Sequence, residues 1–221
     1  MISTMQGLRL FHYWRSSSSW RVRWALAIKG LTYEAIAVSL LNGDSESAEH
    51  RARNPFGFVP VLEITDAGGT RRLIESIAIL EWLDEMHPEN PLYPGDAWNR
   101  AIVRQFVEII NADTQPLQNL PAQELHSQDP EARKTWARHW ITQGLEAFET
   151  RARTTAGRYT VGDTLSAADL CLIPQVYNAR RYQVDLTPYP TILRICGHAE
   201  QTESWKQSEP ERFNPEKPHA N

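Results

Sequence analysis

The sequence is poor in residues that cross-link a chain or bind metals. Its 221 residues include only two cysteines, Cys171 and Cys196, which are isolated and form no CxxC pair. A disulfide framework is therefore not expected, and a reducing cytoplasmic location fits better. The seven histidines show neither an HExxH motif nor another ligand spacing. We therefore expect no metal site.

Long apolar runs and a strong charge of one sign are also missing. No stretch is long enough to cross a bilayer, and the opening MISTMQGLRL lacks the apolar region of a secretory signal. The net charge is only −4. We therefore expect neither nucleic acid nor a membrane as partner. The composition, 41% hydrophobic and 23% charged, is ordinary for a soluble globular protein.

The first part of the chain, to about residue 90, alternates strand and helix signals. Alternating or aromatic-rich apolar runs predict four strands, and two helical patterns lie among them. Gly30 follows the first helix as a C-cap glycine, and Asp66-Ala67-Gly68-Gly69 predicts a hairpin turn. The strands are predicted at 8–13, 33–38, 59–64 and 71–74, the helices at 20–29 and from 76, and a polar irregular stretch at 41–53. The predicted order is βαβ followed by ββα.

Everything after a proline-rich linker at 86–96 has helical periodicity. Ser166 and Asp169 have the spacing of a capping box that begins one of these helices. The tail after Trp205 carries Pro210, Pro215 and Pro218 among charges, and we expect it to be a loosely docked extension. The pattern thus predicts an α/β domain over residues 1–90 and an all-helical domain over residues 96–221.

One polar cluster stands between the first strand and the first helix, Arg15-Ser16-Ser17-Ser18-Ser19-Trp20-Arg21-Val22-Arg23. It has two interpretations. Serine is a leading N-cap residue, so the run could simply be a loop and a cap. Amides at a helix start also favour an anion, and a hydroxyl there lowers the pKa of a thiol by donating to the thiolate. The three arginines either add charge to such a site or solvate the helix surface.

The cluster and several later segments resemble the zeta class of glutathione transferases. The similar segments are YWRSSSSWRVRWALAIKG, NPFGFVPVL, IESIAILEWL, TQPLQNL and YTVGDTLSAADLCLIPQVYNARRYQVDLTPYP. They occur in the family's order and cover most of residues 10–195. The resemblance implies the glutathione-transferase architecture, a thioredoxin-like domain followed by an all-α domain that contributes to the substrate site. It also implies glutathione as cofactor and a homodimer.

The resemblance also implies roles for individual residues. Ser17 matches the catalytic hydroxyl that donates to the glutathione sulfur, and Ser16 is the other member of the active-site pair. Arg15 and Arg181 are the candidate cations for the carboxylates and for negative charge that develops in the reaction. The implied glutathione-binding residues are Ser16, Ser17, Ser18, Ser19, Val59, Pro60, Glu75, Ser76, Gln115 and Asn119, with a cis peptide bond before Pro60. Surface solvation remains the ordinary alternative for Arg181, and capping or interhelical bonding for Ser76, Gln115 and Asn119.

The chain departs from the family pattern at three places. Ser18 stands where the family has a cysteine, which predicts less oxidative inactivation without loss of the site, because a serine still donates. Glu75 replaces a glutamine, and a carboxylate there could bind the α-ammonium of glutathione. The family also uses a glutamine after the second strand, whereas this chain has Gly43-Asp44-Ser45-Glu46.

The activity implied by the resemblance is glutathione-dependent cis–trans isomerisation of a maleyl dicarboxylate, in the order thiolate addition, bond rotation and elimination. Maleylpyruvate isomerisation and transfer of glutathione to α-halo acids are the nearest alternatives. A non-catalytic binding protein with the same fold is a third possibility, because fold does not fix function. A glutaredoxin-like reductase is disfavoured, since no cysteine lies near the first helix.

Overall fold

The structure, a computed structural model, describes residues 7–216 and divides them into two compact units. The first comprises residues 7–90 together with 203–216, and the second comprises Pro91–Thr202. The structure therefore differs from the predicted domains at the carboxyl end, where residues 203–216 join the first unit. Among the described residues, no helix is both long and apolar enough to span a membrane.

The first unit is a four-stranded mixed sheet with helices packed on it. Its strands are β1 (Gly7–His12), β2 (Glu34–Ala37), β3 (Val61–Asp66) and β4 (Gly69–Ile74), and its helices are α1 (Ser17–Ile28), α2 (Ala48–Arg51), α3 (Ser76–Met86) and α10 (Glu203–Ser208). The spatial order is β2-β1-β3-β4, with β1 parallel to β2 and antiparallel to β3. The predicted order of elements, βαβ then ββα, is confirmed.

Two local details of this unit differ from the prediction. The stretch predicted as irregular contains a 3₁₀ turn (Asp44–Glu46) and α2. The third strand begins at Val61, one residue after Pro60, because a proline has no N–H for the ladder of a central strand. Gly30 has a φ of 64° and ends α1 as predicted, since this left-handed backbone is favourable mainly for glycine.

The expectation of a loosely docked tail after Trp205 is wrong for residues 206–213. Helix α10 packs against α1, and the Phe213 ring of a 3₁₀ turn (Pro210–Phe213) has its centroid 4.7 Å from the Cζ of Arg23 on α1. Trp20 and Trp24 on α1 are 2% and 0% exposed and donate to Ser208 and Ser204 of the tail. Burying these indoles against partners for their N–H groups is what makes the tail part of the core. Pro218 lies outside the described residues.

The second unit is entirely helical. Its helices are α4 (Ala97–Asn111), α5 (Gln115–Gln118), α6 (Leu120–His126), α7 (Pro130–Ala152), α8 (Ala167–Arg181) and α9 (Pro190–Ala199). Helix α4 packs against α7 and α8, with the Phe106 and Phe148 rings 4.7 Å apart in the core. The predicted capping box is confirmed, because Asp169 accepts from the amide and hydroxyl of Ser166. This cap sets the start of α8, the helix that ends at Arg181.

Candidate active site

Helix α1 begins inside the serine run, and its four serines have different surroundings. Ser16 is the N-cap, because its hydroxyl accepts from the amide of Ser19 at 3.2 Å. Ser17 is the first helical residue and is 5% exposed. Ser18 is half-buried, and the buried Ser19 hydroxyl accepts from the amide of Tyr13 at 3.4 Å. Capping therefore applies to Ser16, and the helix start that follows it is the place to which the anion interpretation refers.

The amino end of α1 is electrostatically suited to a thiolate. The first amides of any helix have no acceptor within the helix, and the helix dipole is positive there. No acidic residue lies in the first turn of α1 to offset that potential. A hydroxyl at Ser17 can donate one further hydrogen bond to an anion at this end.

Arg15 brings a guanidinium to the same loop. Its Nη2 donates to the hydroxyl of Tyr13 at 3.0 Å, and its Cζ lies 4.8 Å from the centroid of the Trp14 ring. Its Nε is buried and has no hydrogen-bond partner within residues 7–216. A buried donor without an acceptor costs about 1–3 kcal/mol, so this N–H is suited to an anionic ligand.

The arginines of α1 do not solvate a helix surface. Arg21 and Arg23 are both 0% exposed. Arg21 donates to the hydroxyl of Ser76 at 3.2 Å and so joins α1 to the start of α3. The sequence offers one signal for their burial, since both stand among the apolar residues of WRVRWALAI. Charged residues inside such a run indicate buried hydrogen bonding rather than a solvated face.

The segment before β3 has the conformation expected from the resemblance. The Val59–Pro60 peptide bond is cis. The carbonyl of the preceding Phe58 accepts from the Nε2 of His50 and the Nδ2 of Asn54, each at 3.0 Å. These two side chains fix the backbone that leads to Val59. Val59 also packs in a cluster with Phe11, Val38 and Val61, near Tyr13.

Glu75 has an unusual backbone at the start of α3. Its φ is 66°, a left-handed value that costs a non-glycine residue about 1–3 kcal/mol. Its side chain is exposed and, within the described residues, accepts no hydrogen bond and joins no ion pair. Such strain is characteristic of ligand-binding positions. Glu75 therefore presents an uncompensated carboxylate beside the buried Ser76.

Three predicted site residues lie in the helical unit, namely Gln115, Asn119 and Arg181. Gln115 is buried at the start of α5, and Asn119 is exposed at the junction of α5 and α6. The neighbouring Gln118 forms two reciprocal amide hydrogen bonds with Gln175 at 2.8 and 2.9 Å. Gln118 is therefore committed to holding α5 against α8.

Arg181 ends α8 at a basic concavity. Its Nη1 donates to Asn178 at 3.1 Å, and its side chain is exposed. The concavity has a volume of about 380 Å³ and includes Arg133, Lys134 and Arg138 in its lining, but no carboxylate. Within residues 7–216, Lys134 pairs with Glu131, whereas Arg133, Arg138 and Arg181 pair with no acidic side chain. The position is suited to a carboxylate ligand.

The amino-terminal part of the chain matches a known family model. Residues 15–86 match the model described as glutathione S-transferase, N-terminal domain. This stretch contains the serine run, the Val59–Pro60 bond and the Glu75–Ser76 pair.

Curated relatives extend the match over almost the whole chain. The chain is 48% identical to "Probable maleylacetoacetate isomerase 2" of Drosophila melanogaster, over 91% of this chain and 87% of that protein. It is 37% identical to "Maleylpyruvate isomerase" of a Ralstonia species, over 92% of this chain and 97% of that protein.

Solved structures agree with these relatives. A crystal structure of maleylacetoacetate isomerase from Anaeromyxobacter dehalogenans 2CP-1 has glutathione bound in its active site. It is 47% identical, with a TM-score of 0.89, and covers 98% of this chain and 100% of its own. A second structure of that enzyme, 46% identical, contains dicarboxyethyl glutathione and citrate. The chain thus belongs to the zeta-class glutathione transferase family, which includes the maleylacetoacetate isomerases.

Proposed function

We propose that this protein is a glutathione-dependent isomerase that converts maleylacetoacetate to fumarylacetoacetate. The observation that carries the proposal is the amino end of α1, where Ser17 is the first helical residue and the first turn contains no acidic residue. Support also comes from the relatives, which are named for this reaction over more than nine-tenths of the chain. Glutathione transfer is a compatible secondary activity.

The residues of the first unit fit glutathione. The helix start and Ser17 offer donors for the sulfur, and Arg15 has a buried N–H without a partner among residues 7–216. We assign the Val59 backbone to the cysteinyl backbone, as an added strand would pair with it. The uncompensated carboxylate of Glu75 suits the α-ammonium. The remaining assigned binding residues are Pro60, Ser76, Ser18 and Ser19, with Gln115 and Asn119 from the helical unit.

The side chains of the proposed site have the following tasks in the reaction. Bound glutathione would supply the thiol that adds to the cis double bond and leaves after rotation. Ser16 fixes the start of α1, and Ser17 donates to the sulfur so that the anionic form is favoured. Arg181 is assigned to a substrate carboxylate, since a guanidinium fork binds a carboxylate at two points. Arg15 or Arg181 stabilises negative charge that develops on the carbonyl beside the double bond.

The first experiment measures turnover of maleylacetoacetate with and without glutathione. Turnover should require glutathione, and the Ser17→Ala enzyme should lose about 10²-fold in kcat, as when one donor to a developing anion is removed. Ser39→Ala removes another hydroxyl of the same unit, one that accepts only from nearby loop amides, and should behave as the unmodified enzyme. Equal turnover without glutathione would refute the proposal.

A second experiment tests Arg181 against its neighbour. Arg181→Lys should raise KM for the dicarboxylate about tenfold, because a lysine cannot reproduce a two-point contact. The dissociation constant of glutathione should stay unchanged. Arg180→Lys is the matched control, because Arg180 forms an ion pair with Glu200 at 3.2 Å instead. Equal KM values in the two variants would remove Arg181 from the substrate site.

Maleylpyruvate is the second candidate substrate. It is favoured by the Ralstonia relative, whereas the cations of the concavity at Arg181 suit either dicarboxylate. The ratio of kcat/KM for the two maleyl compounds decides between them. A higher value for maleylpyruvate would reassign the substrate while leaving the glutathione-dependent chemistry intact.

We further propose that the protein is a cytoplasmic homodimer. Phe56 and Phe58 support self-association, because they are 70% and 49% exposed and stack at 5.6 Å. Exposed aromatic pairs of this kind are enriched at protein interfaces. Neither Cys171 nor Cys196 is in a disulfide, which agrees with a reducing compartment.

A further inference from the structure

The carboxyl-terminal segment, residues 203–213, is bound to α1 at three points. The indole of Trp24 donates to the hydroxyl of Ser204 at 3.0 Å, and that of Trp20 donates to Ser208 at 3.1 Å. The rings of Trp20 and Trp205 lie 6.3 Å apart. The segment therefore covers the helix whose first turn holds the serine run.

Arg23 joins this segment to the loop that precedes the serines. Its Nε donates to the carbonyl of Ser208 at 3.1 Å, and its Nη2 donates to the carbonyl of Trp14 at 3.0 Å. Its Cζ lies 4.7 Å from the centroid of the Phe213 ring. A single buried guanidinium thus connects residues that are almost two hundred positions apart in sequence.

His12 completes the arrangement from the end of β1. Its Nδ1 lies 3.2 Å from the Nη1 of Arg23, and its ring meets that of Phe213 edge-on at 5.3 Å. Burial, followed by the charge of Arg23, lowers the pKa of His12 to about 3. The imidazole is therefore neutral, and its Nδ1 accepts from Arg23.

The loop held in this way carries the proposed catalytic groups. It consists of residues 13–16, between β1 and α1, and leads directly to Ser17, the first residue of α1. The Tyr13 carbonyl accepts from the amide of Ser16 at 3.0 Å, and the Tyr13 hydroxyl accepts from Arg15. Arg23 thus holds the carbonyl of Trp14, the residue that directly precedes Arg15 and Ser16.

We propose that Arg23 is a positioning residue through which the segment 203–213 sets the geometry of the active-site loop. The tail is then a component of the catalytic unit, although it contributes no reacting atom. This inference rests on the proposed function as far as catalysis is concerned. Its structural half, that the tail holds the loop, stands independently.

The test compares Arg23→Met and Phe213→Ala with a matched control, Lys29→Met. The Lys29 ammonium is as buried as Arg23, but it holds Asp84 and the carbonyls of His87, Glu89 and Asn90. All three variants should lower the melting temperature. Hydrogen exchange in the peptide covering residues 13–19 should accelerate only in the Arg23 and Phe213 variants.

Catalytic measurements on the same proteins separate positioning from general loosening. In the Arg23 and Phe213 variants the pKa of the bound glutathione thiol should rise and kcat should fall by about 10²-fold, as expected for a misplacement of about 1 Å. KM for the dicarboxylate should change little, and Arg23→Lys should recover part of kcat. The Lys29 variant should keep the unmodified thiol pKa.

Two results would overturn the inference. One is unmodified exchange of residues 13–19 in the Arg23 and Phe213 variants. The other is accelerated exchange together with an unmodified thiol pKa and kcat, which would make the tail structural only. If the unmodified protein binds no glutathione, the proposed function fails, and the exchange data alone decide whether the tail positions the loop.

Discussion

His12 should make the first unit sensitive to acid. Burial and the Arg23 charge lower its pKa from 6.5 to about 3 in the folded protein. The unfolded chain binds a proton at the ordinary value, so below pH 6.5 the unfolded state holds more protons than the folded state. The contribution of His12 to the free energy of unfolding is therefore fully present above pH 6.5. It is lost as pH falls from 6.5 toward 3.

The size of the effect follows from the width of that window. Each pH unit between the two pKa values corresponds to about 1.4 kcal/mol. At pH 4.5, two units below the ordinary pKa, His12 should have removed about 2.7 kcal/mol from the free energy of unfolding. That is a large part of the about 5–15 kcal/mol that holds a typical protein folded.

The assay is urea unfolding at pH 7.5 and pH 4.5, for the unmodified protein and for His12→Asn. The asparagine carbonyl replaces Nδ1 as acceptor for Arg23 but does not titrate in this range. Other groups titrate equally in both proteins, so the difference between their pH dependences isolates His12. The unmodified protein should lose about 2.7 kcal/mol more than the variant. Equal losses, to within about 0.5 kcal/mol, would show that His12 is not a buried neutral residue.

Three further predictions concern thiols and assembly. Cys171 and Cys196 are buried, and burial raises the pKa of Cys196 to about 12. The folded protein should therefore not react with a disulfide reagent, whereas both thiols of the unfolded chain should react. Ser18→Cys should add one fast-reacting thiol and make turnover sensitive to oxidation; a slow thiol there would contradict an anion-stabilising helix start. Phe56→Ser combined with Phe58→Ser should convert a dimer to a monomer in light scattering, and an unchanged mass would exclude this pair from the interface.

Several parts of the fold and the site are determined by the sequence because they depend on neighbouring residues. The C-cap at Gly30, the N-cap at Ser16 and the capping box of Ser166 and Asp169 each involve residues no more than a few positions apart. Their geometry follows from local backbone and side-chain preferences. The order of strands and helices in the first unit was predictable for the same reason.

Contacts between distant parts of the chain were decided only by tertiary structure. Periodicity does not reveal that Gln118 pairs with Gln175, or that Arg23 meets Ser208 and Phe213. The prediction of a loosely docked tail is wrong for this reason, since the prolines and charges of the tail say nothing about the indoles beneath it. The left-handed backbone of Glu75 also escapes the sequence, because surrounding structure has to hold such a conformation in place. The sequence determined which groups precede and begin α1. Only packing over nearly the full chain length decided what holds them in position.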